Sequence, residues 1–268
     1  LPSLSKVFES LLTTQLTTYL DGLNFFNGNQ FGFIRHSCCL TAAYQLVDFI
    51  KANFRKKFVG VIFIDLKRAF DTVDPLRLSL KLRRIGLSGE ACDLMMSYLC
   101  NRSTATTIKN NCSTFRSISV GVAQGSTMGP LHFIVYIADM LTVGWLGKMV
   151  LYADDTALYY ASDTADELER VMRTDMAVLH KWLCRNVLTM NVGKTCYMTF
   201  GKARLLHDFS IRINDETVKR VRTFKYLGLV LDEKMSFKQH IEHVKRMIRP
   251  FIPLMLRRGR YVPVNRRK

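Results

Sequence analysis

The run LYADDTALYY, residues 151–160, sets two carboxylates, Asp154 and Asp155, between an apolar stretch and a tyrosine-rich one. Apolar alternation resumes on both sides, so MVLYADDTALYY reads as two short strands with the aspartates near the turn that joins them. Adjacent like charges in a buried hairpin disfavour each other's ionisation and demand a counter-cation. An Asp-Asp pair in a turn is by itself ordinary solvated turn chemistry. A second source of negative charge brought to the same place changes its meaning.

The run FVGVIFIDL, residues 58–66, supplies that second source. It is too short for a helix and too apolar for an edge strand, which makes it a central strand ending in Asp65. If this strand and the hairpin are neighbours in one sheet, Asp65, Asp154 and Asp155 converge. Their hard oxygens suit Mg²⁺, and two such ions about 3.5–4 Å apart stabilise both the attacking and the leaving oxygen of an in-line phosphoryl displacement.

Around these strands the pattern is largely helical. Leu4, Val7, Phe8, Leu11 and Leu12 mark a first helix, and Leu46, Val47 and Ile50 a second over 39–54; further helices are expected at 75–85 and 89–100. STATTIKNNCSTFRSISV reads as a hairpin turning near Asn110 and Asn111. The apolar stretch from Pro130 to Gly147, broken by His132 and Asp139, is short for a membrane span of about 20 residues and reads as a buried helix. Thr164 and Glu167 form a capping box ahead of Leu168, Val171, Met172, Leu179 and Leu183. Strands are expected at 195–200 and 224–231. Ser236 and Gln239 then cap a last helix, with Phe237, Ile241, Val244 and Ile248 inward and Lys238, Lys245, Arg246 and Arg249 outward, up to Pro250.

With 268 residues and 48% hydrophobic content the chain can bury a substantial core, while its net charge of +17 points to a polyanionic partner, nucleic acid first. The basic residues cluster at Arg55 to Lys57, Arg77 to Arg84, Lys219 to Lys225, Lys245 to Arg249 and Arg257 to Lys268. Seven scattered cysteines without a C-x-x-C pair indicate neither a disulfide framework nor a zinc site, and so a reducing compartment. The start at LPSLSKVFES, without Met or signal peptide, suggests a piece of a longer polypeptide.

Five ordered segments, VGVIFIDLKRAFDTVD, GVAQGSTMGP, LYADDTALYY, NVGKTCYMTF and YLGLVLD, together with QFGF at 30, resemble the reverse transcriptases of non-LTR (LINE-type, jockey-like) retrotransposons. The resemblance implies an α+β right-hand polymerase: fingers and palm with an antiparallel palm sheet, the thumb mostly absent. Residues 1–57 would be part of the fingers, 58–223 the palm with inserted fingers helices, and 224–268 a primer-grip-like region and the start of a thumb connection. It implies an RNA-directed DNA polymerase that adds dNTPs to a primer 3′ end, with two Mg²⁺ ions (Mn²⁺ as a substitute) held by Asp65, Asp154, Asp155 and the Leu66 carbonyl.

By the same resemblance Phe70 lies under the sugar of the incoming nucleotide and excludes a 2′-hydroxyl, and Gln124 and Gly125 lie beside the nucleotide and template base. Lys194 serves the leaving pyrophosphate, Leu227 and Gly228 grip the primer, and Arg35 lies close to the triphosphate position. The implied partners are an RNA template, a DNA primer and dNTPs, with no membrane; the setting is an intracellular, nuclear and cytoplasmic ribonucleoprotein. Oligomeric state is left open. The chain departs from the family at Ile34, where the loop usually has Arg; at Ala123, where it has Pro; and at Thr127, Met128 and His132, usually aliphatic. The alternative reading is a catalytically weak or dead nucleic-acid-binding remnant of a retrotransposon protein.

Overall fold

The computed structural model describes residues 3–26, 28–205, 208–213, 215–253 and 255. In chain order the elements are α1 (Ser3–Gly22), α2 (Cys39–Asn53), β1 (Phe58–Ile64), α3 (Pro75–Arg84), α4 (Gly89–Leu99), β2 (Arg102–Thr104), β3 (Thr107–Ile108), β4 (Asn111–Cys112), β5 (Arg116–Ile118), α5 (Gly129–Ile137), β6 (Lys148–Tyr152), β7 (Asp155–Ser162), α6 (Ala165–Arg185), β8 (Cys196–Gly201), β9 (Arg212–Ile213), β10 (Glu216–Thr217), β11 (Lys219–Arg220), β12 (Thr223–Tyr226), β13 (Leu229–Asp232) and α7 (Lys238–Ile248).

The main sheet has the order β11-β8-β1-β7-β6, antiparallel except where β11 joins β8, and FVGVIFI is its central strand as its composition required. Both faces of β1 are covered. Ile62 and Ile64 point into a core shared with α1, α3, α4, α5 and α6, whereas Val59, Val61 and Phe63 point into a second core with α2, Tyr226 and Leu231. Each such side chain, fully buried, stabilises the fold by roughly 1.5–3 kcal/mol. Gly60 interrupts the β-branched run because α6 presses there: a Cβ would stand 2.6 Å from Met172 Sδ. Thr164 caps α6, its hydroxyl accepting the Glu167 N–H at 3.3 Å.

Residues 102–118 form nested ladders, β2 with β5 and β3 with β4, around the expected turn. Three expectations need correction. Residues 224–231 are a hairpin, β12 and β13, because Leu227 (φ +46°) and Gly228 (φ +87°) form a left-handed turn between them. The stretch 130–147 does not continue as one helix; α5 ends at Ile137 and a 3-10 turn, Ala138–Thr142, follows. The last helix lacks the Ser236–Gln239 box: Asp232 instead takes the N–H groups of Lys234, Ser236 and Phe237, and Phe237 enters the helix at φ +56°. Its apolar stripe is packed inward only in part: Phe237 lies against the second core and Val244 is half-buried, whereas Ile241 and Ile248 are about half exposed (49% and 50%). The basic cluster from Arg257 lies outside the described residues. Among the described residues no helix is long and apolar enough to cross a membrane.

Candidate active site

Strand register brings the sequence-predicted carboxylates together. In the antiparallel β1–β7 pair Ile64 faces Thr156, so the next step sets Asp65 against Asp155. Tyr152 pairs with Asp155 across β6 and β7, which leaves Ala153 and Asp154 as a two-residue turn, Ala153 left-handed at φ +56°. Asp65 is half-buried; Asp154 and Asp155 reach solvent. The Asp155 carboxyl nonetheless sits against walls that exclude water. That desolvation first, then the charges of Asp154 and Asp65, pushes its pKa up to about 6.

Asp65, Asp154 and Asp155 make no ion pair among the described residues, so their repulsion is uncompensated within the chain. Nor are three His, Cys, Asp or Glu side chains gathered closely enough, among the described residues, to hold an ion as they stand. The donors themselves, carboxylate oxygens without an ion-pair partner and within electrostatic reach of one another, are of the hard kind that Mg²⁺ or Mn²⁺ takes. Leu66 is buried and bridges to Met190; the bonds at that bridge use the Asp65 carbonyl with the Asn191 N–H (2.8 Å) and the Lys67 N–H with the Thr189 carbonyl (2.8 Å), leaving the Leu66 carbonyl outside them.

Lys194 is brought to the same place by the loop after α6. The Asn191 N–H reaches Asp65 from one side, and the Asp65 N–H donates to Thr195 Oγ1 at 3.2 Å from the other. The resulting cleft, about 300 Å³, is lined by Asp65, Asp155, Thr156, Lys194, Phe224 and Tyr226. Phe224 and Tyr226, which sequence reasoning missed, lean on Phe63 at 4.2 and 5.3 Å between ring centroids, and so seat the Leu227–Gly228 turn beside the cleft's aromatic wall. The aromatic alternation in TFKYLGL was the available signal.

Phe70 is half-buried, stacked on Phe133 at 4.5 Å, with exposed Phe33 at its edge at 6.3 Å. The segment after it carries the other loop: the Val122 N–H donates to the Phe70 carbonyl, the Gly121 N–H to the Val73 carbonyl, and the Gln124 amide to Asp71 Oδ1 at 3.0 Å. Gly125 follows at φ +75°, a conformation that glycine adopts without strain. Phe70, Gln124 and Gly125 therefore form one unit. Arg35 is not drawn into it: it is exposed and makes no hydrogen bond or ion pair among the described residues, while Ile34 packs against the helical core.

The family model for reverse transcriptase (RNA-dependent DNA polymerase) matches residues 1–231. A probable RNA-directed DNA polymerase from transposon X-element of Drosophila melanogaster is 30% identical over 259 residues, 93% of this chain and 28% of that protein. The RNA-directed DNA polymerase from mobile element jockey of Drosophila funebris is 28% identical over 264 residues, 95% of this chain and 28% of that protein. The chain thus spans 28% of the length of these curated relatives. Among solved structures, apo telomerase from Candida tropicalis superposes with a TM-score of 0.60 at 13% identity, covering 85% of this chain and 40% of that one. A form truncated from its C-terminal domain gives 0.59 at 14%, covering 84% and 44%. These likenesses establish the polymerase fingers-and-palm fold. Since the family match covers residues 1–231 of 268, the chain belongs to the reverse transcriptase family of RNA-dependent DNA polymerases.

Proposed function

We propose that this chain copies RNA into DNA, adding dNTPs to a primer 3′ end by two-metal-ion phosphoryl transfer. The observation that carries the reading is the register of β1 and β7, which sets Asp65 against Asp155 at the mouth of a cleft that Lys194 also lines. When bound at Asp65, Asp154, Asp155 and the Leu66 carbonyl, two Mg²⁺ ions, or Mn²⁺, supply the Lewis-acid charge for the displacement. The rest of the work is positioning and electrostatics. Phe70, braced by Phe133, excludes a 2′-hydroxyl by shape. Gln124 and Gly125, fixed to the Phe70 segment through Asp71, approach the nascent base pair. Lys194 gives positive charge or a proton to the departing pyrophosphate, and the Leu227–Gly228 turn holds the primer end.

On this reading residues 1–57 belong to the fingers, 58–223 to the palm with inserted fingers helices, and 224–268 to the primer grip and the approach to a thumb. One observation favours a weaker activity. Ile34, where the family loop usually has arginine, packs against the core, so that position offers no positive charge to a triphosphate, and Arg35 stands exposed one residue further on. A remnant that binds nucleic acid without turnover is the rival.

Primer extension decides between them. Purified protein is given an RNA template with an annealed DNA primer, Mg²⁺, and either dNTPs or rNTPs. Extension with dNTPs alone, abolished in Asp154→Ala, is the expected result. Salt-sensitive binding without extension would leave the remnant, and Ile34→Arg then tests whether that one position is responsible.

A further inference from the structure

The turn carrying Asp154 and Asp155 is held from behind by a residue far away in sequence. Gln30, in the loop between α1 and α2, is 3% exposed, and its side-chain carbonyl accepts two backbone N–H groups: that of Gly32 at 2.8 Å and that of Ala153 at 3.2 Å. The same loop is joined to β6 by the Phe31 N–H on the Leu151 carbonyl and the Leu151 N–H on the Asn29 carbonyl, both at 2.8 Å. Gly32 lies so close that a Cβ there would stand 2.2 Å from the Ala153 nitrogen.

We infer that Gln30 is a positioning residue for the carboxylate turn, holding Asp154 and Asp155 where they and Asp65 can share divalent cations. The inference rests on the reading of these aspartates as the metal site. The two-residue turn is fixed on one side only by the Tyr152–Asp155 pair, and its first residue already occupies a left-handed conformation that alanine adopts reluctantly. Repulsion among the three carboxylates pushes the turn away from β1. The Gln30 carbonyl, buried and oriented by its second bond to Gly32, pulls on the Ala153 N–H from the far side. The Gln30 side-chain nitrogen is buried without a hydrogen-bond partner among the described residues, so the carbonyl is the atom through which Gln30 acts on the turn.

Mn²⁺ binding, followed by loss of the free-ion electron paramagnetic resonance signal, tests the inference independently of turnover; circular dichroism confirms the fold of each variant, and extension kinetics give kcat and KM for dNTP. Gln30→Met keeps the length and removes the acceptor: Mn²⁺ affinity is expected to fall about ten-fold or more, with kcat reduced and KM for dNTP unchanged. Gly32→Ala forces the turn from the same side without removing an acceptor and is expected to weaken Mn²⁺ binding likewise. Gln30→Glu keeps an acceptor and is expected to bind Mn²⁺ at least as tightly as the parent chain.

Folded Gln30→Met and Gly32→Ala proteins with parental Mn²⁺ affinity would overturn the inference and leave the metal site standing. A Gln30→Glu protein as weak as Gln30→Met would overturn the acceptor argument. A parent chain that binds no Mn²⁺, or binds it undiminished in Asp154→Ala, would overturn the site itself and the inference with it.

Discussion

His132 is a buried ionisable group with nothing to stabilise its charge. Its residue exposure is 0%, Nε2 lies 3.4 Å from Met95 Sδ, and Nδ1 is buried without a hydrogen-bond partner among the described residues. Desolvation therefore pushes its pKa down from 6.5 to about 4. The unfolded chain binds the proton first as pH falls, so stability is full above pH 6.5 and declines towards pH 4, by about 1.4 kcal/mol per pH unit at most. His132→Leu should remove this loss, so that between pH 7 and pH 4.5 the urea midpoint of the variant falls less than that of the parent chain, or rises, because protonation of Asp155 on folding acts in the opposite direction. The same slope in both proteins would place the acid lability at another residue. The sequence marks His132 as a polar interruption of an apolar run, at a position where the resembled family is usually aliphatic; its burial depends on α3 and α4 closing over α5. Asp65, Asp154 and Asp155 were legible because strand periodicity identifies the ends of strands. Thr195 and Gln30 were not, because their bonds to Asp65 and Ala153 span 130 and 123 residues.

At the level of elements, contact between β1 and α6 is set by Gly60. A Cβ there would meet Met172 Sδ at 2.6 Å and Leu168 Cδ1 at 3.3 Å, so Gly60→Val should destabilise the fold by about 2 kcal/mol through overpacking. Met172→Ala should make the same substitution less damaging, with a coupling of about 1 kcal/mol in a double-mutant cycle measured by urea unfolding. Strict additivity would show that the helix yields without strain. The strand and the helix were each evident from periodicity and the Thr164 cap, but not that the two meet at this glycine. In α7 the amphipathic pattern was equally clear. What it did not reveal is that no partner covers Ile241 and Ile248 among the described residues, since a periodic stripe specifies a face and not what lies against it.

Across the whole molecule, a net charge of +17 remains however the ion pairs form, because each pair joins one positive and one negative charge, and most of those pairs lie at the surface. Affinity for a template–primer should therefore fall steeply with salt, about a thousandfold between 50 and 200 mM if some six phosphates are neutralised. A flat dependence, measured by fluorescence anisotropy, would contradict a phosphate-tracking surface. The sequence by itself determined the strand and helix types, the central position of FVGVIFI, the acidic residues at strand ends and the basic surface, because these follow from periodicity, composition and local capping. Only the tertiary structure decided the register that opposes Asp65 to Asp155, the attachment of Gln124 to Asp71, and the contact of Gln30 with the aspartate turn. Register and loop docking depend on packing and hydrogen bonds between segments distant in the chain, and no local pattern encodes which segments those will be.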